Sequence, residues 1–168
     1  MSGSTIAFVV VVVLAVSGVV WGRFGPVWVP RGSFRWSSRP TVWVYPGADA
    51  VTVARAVAVW SGRGFPIGPV RAASGSPDDS ATLKGIHVYP DDGTLLSLGG
   101  AVGAATHLDA AAERALIVLS REFPLTVPLA MHELAHAYDF RHARFPPSGH
   151  LMHFDPGRRG LDTRGMKP

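Results

Sequence analysis

The hydrophobic pattern begins with one long apolar run, residues 6–21, which read IAFVVVVVLAVSGVVW and carry no charge. As a helix the run would extend about 24 Å, and with its neighbours it reaches the lower limit for a hydrocarbon core of about 30 Å. A signal peptide would have Lys or Arg before its apolar run, and none precedes this one. The first basic residues, Arg23 and Arg31, follow the run. The run predicts an N-terminal transmembrane helix, with a signal helix as the alternative.

After a stretch rich in Pro, Gly, Ser and Arg, the pattern changes to short β-like runs and one amphipathic segment. Residues 41–45 (TVWVY) are β-branched and aromatic and lie between two prolines, which is typical of a strand. Asp49 can cap a helix over residues 50–61. Apolar residues recur in that helix at the spacing of one buried stripe, namely Val53, Val57 and Trp60.

The second half of the chain predicts more strands and a second helix. The strand segments are 69–72, 82–89, 98–106 and 114–120, of which the Gly- and Ala-rich third segment fits an edge strand. Thr126 can cap a helix that has Pro128 in its first turn. The order of strand, helix, strands and a final helix predicts an α+β fold.

Composition narrows the classes of protein to which the chain can belong. With 47% hydrophobic and 17% charged residues among 168, it is too apolar to be disordered and fits one small domain. A net charge of +4 indicates a basic surface, but no basic motif is interleaved with aromatic residues, so no nucleic-acid partner is expected. The absence of cysteine excludes disulfides, thiolate metal sites and thiol nucleophiles. Any metal must be held by His, Asp or Glu.

The second helix carries the sequence HELAHAYDFRH, which starts at His132. His132 and His136 are four residues apart, about 40° around a helix axis, so both imidazoles can reach one metal ion. Glu133 lies one step from His132, where it can take a proton from a zinc-activated water instead of binding the ion. A bound cation would also offset the cost of an ionised Glu in an otherwise apolar stretch.

The third metal ligand requires the helix to end. His142 follows His136 by six residues, and a continuing helix would turn it by about 240°, away from the other two imidazoles. We therefore predict that the helix ends near Asp139 and bends back, since Asp tolerates a left-handed backbone. Three His ligands with one open position are typical of a catalytic zinc site. The predicted cofactor is Zn²⁺, with Glu133 as the general base.

These residues resemble the motif of the metzincin clan of zinc metallopeptidases, and most nearly that of the matrixins. The family pattern HExxHxxGxxH is followed by a turn that contains Met, and here the chain reads SGHLMH. The matching residues are His132, Glu133, His136, His142 and, in the turn, Met152. The resemblance implies a zincin-like catalytic domain with a twisted, mostly parallel sheet and an active-site helix. It also implies that Met152 forms an apolar floor beneath the metal, and that residues 99–106 bind an extended peptide along the sheet edge.

The resemblance implies a zinc-dependent metalloendopeptidase whose partner is a peptide or protein substrate. One alternative is a membrane-tethered module that binds zinc and a peptide without turnover. Another is a zinc-dependent RNA hydrolase, because a bacterial endoribonuclease family resembles HxxxHxxxxxH. That family lacks a Glu after the first His, whereas Glu133 is present here.

Other polar residues near the motif are further candidates for the site. Asp139 stands where the family has Gly, and it can approach the metal or orient a ligand. His150 and His153 flank the Met of the turn and are candidates to line the cleft or assist the leaving group. His87 lies in a predicted strand and His107 at the end of one, so we interpret both as structural.

The chain is thus divided into four parts. Residues 1–22 form the membrane anchor or signal segment, 23–40 a linker, 41–157 the metzincin-like catalytic domain, and 158–168 a basic C-terminal tail. The positive-inside tendency alone would leave the domain in the cytoplasm. Peptidases with such an N-terminal segment usually act outside the membrane, so the prediction is a membrane-anchored protein with an extracytoplasmic domain, or a secreted one.

Overall fold

The computed structural model describes residues 27–75, 83–93, 103–143, 148–153 and 160–168. Within these ranges the chain forms five strands and two helices. In chain order they are β1 (Val42–Val44), α1 (Ala50–Gly62), β2 (Val70–Ala72), β3 (Gly85–Pro90), β4 (Ala104–Asp109), β5 (Arg114–Leu119) and α2 (Val127–Ala137). The α+β fold is confirmed.

The strands form one mostly parallel sheet in the order β2-β1-β3-β5-β4. β1 pairs in parallel with β2 and β3, and β3 pairs in parallel with β5. β4 runs antiparallel to β5 and forms one edge of the sheet. Parallel strands are usually covered on both faces, and the first four residues of β3 (GIHV) are accordingly all buried.

The position of the predicted edge strand differs from the observed one. We expected residues 98–106, whereas β4 spans Ala104–Asp109, and residues 94–102 lie outside the described ranges. The strand continues past Thr106 because its register with β5 runs on to the pair Asp109–Arg114. The other four strand predictions, over residues 41–45, 69–72, 82–89 and 114–120, are confirmed as β1, β2, β3 and β5.

Helix α1 begins at the predicted cap and connects the sheet to the second helix. Oδ1 of Asp49 accepts hydrogen bonds from the backbone N–H groups of Val51 at 3.1 Å and Thr52 at 3.0 Å. The predicted stripe of Val53, Val57 and Trp60 is buried. The indole Nε1–H of Trp60 donates to the carbonyl oxygen of Met131 at 3.1 Å, which ties α1 directly to α2.

Helix α2 is capped by Thr126, whose Oγ1 accepts a hydrogen bond from the backbone N–H of Leu129 at 3.3 Å. Its apolar residues belong to the hydrophobic core that α1 and the sheet also form. Among them, Met131 and Leu134 are 0% and 1% exposed. A helix of this length is stabilised mainly by packing of its apolar residues against the core and much less by helix propensity.

Both chain ends that the structure describes pack against this core. Val29 and Met166 are buried, and Nη1 of Arg31 donates to the carbonyl oxygen of Lys167 at 2.8 Å. The described parts of the predicted linker and tail therefore contribute to the folded unit, because apolar side chains anchor each of them.

The predicted membrane anchor, residues 6–21, lies outside the described residues. Neither α1 nor α2 has the length and apolar character to cross a bilayer, and no other helix of the described ranges does.

Candidate metal centre

Three histidines come together at the end of α2. The potential ligand nitrogens of His132, His136 and His142 all lie within 4.8 Å of one another, and no other such group of His, Cys, Asp or Glu occurs in the part of the chain that the structure describes. Nε2 of His132 is 3.0 Å from Nε2 of His136 and 3.2 Å from Nε2 of His142. A tetrahedral ion with bonds of 2.0–2.1 Å would place such nitrogens about 3.3 Å apart.

The opposite ring nitrogens decide which atoms face the centre. Nδ1 of His132 is 2.7 Å from the carbonyl oxygen of Leu151, and Nδ1 of His136 is 2.7 Å from that of Phe140. Because a carbonyl oxygen can only accept, both Nδ1 atoms carry the hydrogen. In neutral rings each Nε2 then presents a lone pair, and two lone pairs 3.0 Å apart repel each other. A cation between them removes this repulsion, so the three histidines are positioned to bind a metal ion.

The third histidine reaches the centre through a bend at Asp139, as the sequence predicted. α2 ends at Ala137, and the backbone N–H of Phe140 donates back to the carbonyl oxygen of Ala135 at 3.1 Å. Asp139 has φ +62°, which is the left-handed region. This residue reverses the chain direction, and His142 follows three residues later.

Solvent reaches the centre from one side. His132 is buried, His136 is half-buried and His142 is exposed. Three imidazoles fill three of the four positions of a tetrahedral ion, and in sites of the catalytic class the fourth position is taken by water or substrate.

The carboxylate of Asp139 points toward the N-terminal segment and lies outside the histidine cluster. It accepts the backbone N–H of Phe34 at 3.1 Å, and it lies so close to Gly32 that a Cβ there would overlap Oδ2. The residue does orient the chain between two ligands, but it does so through its backbone bend and a contact with residues 32–34. The Asp139 carboxylate therefore contacts residues 32–34 and is not part of the group of potential metal ligands.

Glu133, which follows His132 in α2, is buried, with 3% of its surface exposed. Its Oε2 accepts a hydrogen bond from Oγ1 of Thr106 at 2.7 Å, and the same hydroxyl lies 3.2 Å from the Glu133 carbonyl oxygen. A buried carboxylate is costly without such a donor. Thr106 was not among the predicted site residues, although a polar β-branched residue in the predicted cleft strand was a signal that could have identified it.

The turn that contains Met152 lies behind His132. Leu151 and Met152 are both 0% exposed. The carbonyl oxygen of Leu151 accepts the Nδ1–H of His132. The carbonyl oxygen of Met152 accepts the backbone N–H of Ala143 at 3.0 Å. The turn thus contacts the side chain of one of the three histidines, His132, and the backbone of Ala143, which follows another, His142.

His150 is a clamp in this turn, in that its two ring nitrogens bond two separate parts of the chain. It is 0% exposed, its Nε2 donates to the carbonyl oxygen of Arg164 at 2.9 Å, and its Nδ1 accepts the N–H of Met152 at 3.1 Å. Burial lowers the pKa of His150, with the Arg164 carbonyl acting in the opposite direction. His153 is also buried, at 3%. Both side chains that flank Met152 are thus buried, and their part in lining the cleft stays a prediction.

The two remaining histidines stay apart from the cluster. His87 is fully buried, with Nδ1 2.9 Å from the Tyr45 hydroxyl and Nε2 3.0 Å from the Leu83 carbonyl oxygen. His107 is exposed in the middle of β4, opposite Leu116, and not at a strand end as predicted.

Comparison with known proteins adds no relative. No protein-family model matches the chain. No curated protein matches it either. The case for its chemistry therefore depends on the residues of the site.

Proposed function

We propose that this protein is a zinc-dependent metallopeptidase of the metzincin type, with residues 41–157 as its catalytic domain. The observation that carries the proposal is the convergence of three Nε2 atoms whose rings are fixed, for His132 and His136, by Nδ1–H bonds to backbone carbonyls. Imidazole ligands in a tetrahedral arrangement suit Zn²⁺, and His132, His136 and His142 would hold it. We further propose that Met152 is the apolar floor of the centre, since it is buried in the turn that holds His132.

Glu133 is the proposed general base. Zinc, when bound, supplies Lewis-acid chemistry that acidifies water and polarises a carbonyl group. The Glu133 carboxylate takes the proton from the attacking water and delivers it to the leaving amine. Thr106 holds Oε2 with its hydroxyl, so the carboxylate is oriented before the substrate arrives.

The edge strand supports a peptide as the substrate. β4 is paired only with β5 in the described sheet, so its other edge has backbone groups that an extended peptide can bind. The contact between Thr106 of β4 and Glu133 brings that edge to the general base. A peptide paired along β4 would thus have its backbone beside the reactive groups.

We propose an extracytoplasmic location for this domain, either anchored by residues 6–21 or secreted. The proposal depends on the uncharged apolar run in the sequence.

The test is the Glu133→Gln variant of the full chain, beside the matched control Glu122→Gln. Glu122 is exposed and lies before α2. We expect wild type and control to bind one zinc and to cleave peptides from a fluorogenic library, with loss of cleavage in a chelator. Glu133→Gln should keep its zinc and lose cleavage by at least about a hundredfold. Cleavage by Glu133→Gln at the wild-type rate would exclude Glu133 as the base, and zinc binding without any cleavage would favour a binding module.

A further inference from the structure

The end of the active-site helix is completed by a segment from the other end of the chain. The last carbonyl groups of a helix have no partner within it. Here the carbonyl oxygen of Ala137 accepts Nε1–H of Trp36 at 3.0 Å, and that of Tyr138 accepts Nε–H of Arg31 at 3.3 Å. The carbonyl oxygen of Asp139 accepts the backbone N–H of Gly32 at 2.9 Å.

The same segment holds the bend between the two later histidines. Arg31 and Phe140 form an antiparallel bridge, and the N–H of Arg141 donates to the carbonyl oxygen of Pro30 at 2.8 Å. The guanidinium carbon of Arg31 also lies 4.7 Å from the centre of the Phe140 ring. Phe140 supplies the carbonyl that accepts Nδ1–H of His136. The segment therefore fixes the acceptor of one ligand, His136, and the backbone just before the next.

Gly32 and Asp139 are matched at the centre of this contact. A left-handed Asp is strained relative to Gly, but its carboxylate gains the N–H of Phe34 as a donor. That bond is compatible only with a residue at position 32 that has no side chain, because a Cβ would overlap the carboxylate. Glycine at position 32 thus allows Asp at the bend, and Asp in turn binds the segment.

We propose that residues 30–36 form a strap that positions His136 and His142 for metal binding, with the Gly32–Asp139 contact at its centre. The strap contributes no metal ligand, and Arg31, Gly32 and Trp36 are positioning residues. This inference depends on the three-histidine metal site of the proposed function and not on peptide hydrolysis.

The experiment measures Co²⁺ binding to the full chain by chelator competition and by the visible absorption of the bound ion, which reports its coordination. Gly32→Ala places a Cβ against Asp139. Trp36→Phe removes the bond to Ala137 and part of the ring that contacts Phe34 and Tyr138. Gly62→Ala is the matched control, because a Cβ there meets nothing within 4 Å. We expect Gly32→Ala to weaken Co²⁺ binding about 10- to 100-fold and Trp36→Phe to weaken it less, by several-fold, since outer partners of metal ligands have effects of this size.

A second pair of variants separates the strap from general stability. Asp139→Asn keeps an oxygen acceptor for Phe34 and should retain Co²⁺ affinity, whereas Asp139→Gly keeps the bend and loses the acceptor, so its affinity should fall. The melting temperature of each metal-free variant is measured in parallel. Lower affinity and altered absorption in chains that remain folded would support the strap.

Two results would overturn the proposal. If Gly32→Ala, Trp36→Phe and Asp139→Gly all bind Co²⁺ like Gly62→Ala, the strap does not position the ligands, even if the melting temperature falls. If Gly32→Ala does not fold, Co²⁺ binding by Trp36→Phe and Asp139→Gly, compared with Gly62→Ala, decides whether the strap positions the ligands. A wild-type chain that binds no Co²⁺ would instead exclude the metal site itself, and the role of the strap with it.

Discussion

The hydroxyl of Thr106 lies 2.7 Å from Oε2 of Glu133, and this bond joins the edge strand β4 of the sheet to helix α2. The two residues are 27 positions apart in the sequence. The bond gives the carboxylate a fixed direction and places it beside the strand on which a peptide would bind.

Removal of this hydroxyl is expected to slow the reaction more than it weakens substrate binding. In Thr106→Val the side chain keeps its shape but loses the donor to a charged acceptor, which is worth about 1.5–3 kcal/mol. We expect kcat/KM to fall by about 10- to 100-fold, mainly through kcat. Thr106→Ser should recover most of the rate. Steady-state kinetics on one peptide substrate would check both, and equal rates for Val and Ser variants would exclude a role for the hydroxyl.

Loss of His142 is expected to abolish tight metal binding. His142→Ala leaves two imidazoles, and the effect should exceed the 10- to 100-fold typical of outer partners, so we expect more than about 100-fold weaker zinc binding. His107→Ala is the matched control, because His107 is exposed on β4 and lies outside the cluster. Isothermal titration calorimetry with zinc compares them. Similar affinities for the two variants would contradict the assignment of His142 as a ligand.

Loss of His150 is expected to destabilise the fold. His150→Ala would leave the Met152 N–H and the Arg164 carbonyl without their present partner and would create a cavity behind the turn. Together these effects should cost roughly 2–4 kcal/mol in the free energy of unfolding. Urea unfolding of metal-free protein measures the change, with exposed His107→Ala expected within about 0.5 kcal/mol of wild type. A similarly small change for His150→Ala would show that the clamp contributes little.

His87 is expected to make stability fall in acid. The pKa of His87 is lowered, and burial of the imidazole is the largest cause of this shift. The hydrogen bond to the Leu83 carbonyl acts in the opposite direction, and the charge of Arg114 lowers the pKa further. Below the unfolded pKa near 6.5 the unfolded chain therefore binds more protons at this residue than the folded chain, so stability is full above about pH 6.5 and declines below it.

The His87→Gln variant tests this dependence. Between pH 7 and 5 its unfolding free energy should decline less steeply than that of wild type, with a difference of up to about 1.4 kcal/mol per pH unit. Chemical denaturation of metal-free protein at several pH values gives both profiles. Parallel profiles would mean that His87 does not contribute.

The parts of the site that the sequence predicted are those encoded over short distances. The four-residue spacing of His132 and His136 places both side chains on one side of a single helix. The left-handed backbone at Asp139 depends on the identity of that one residue. β3 and β5 were equally clear, because apolar β-branched runs identify buried strands.

The parts that were not predicted depend on contacts between distant segments. Thr106 reaches Glu133 only because β4 pairs with β5 and lies beside α2. Phe34 reaches Asp139 across 105 positions. The composition of residues 23–40 indicated a linker, because Pro, Gly and Ser are typical of one. His150 was a candidate for the cleft because sequence position alone does not reveal which side of a turn faces the core.

The Gly32–Asp139 contact has a consequence for how related chains can vary. A chain with Gly at position 139 has no carboxylate against position 32, so a side chain at position 32 would become tolerable. A chain with Asp at position 139 admits only Gly at position 32. The two positions should thus change together. A search that pairs this Gly with the Asp of HExxHxxDxxH would find chains that a search for the motif HExxHxxGxxH alone would miss.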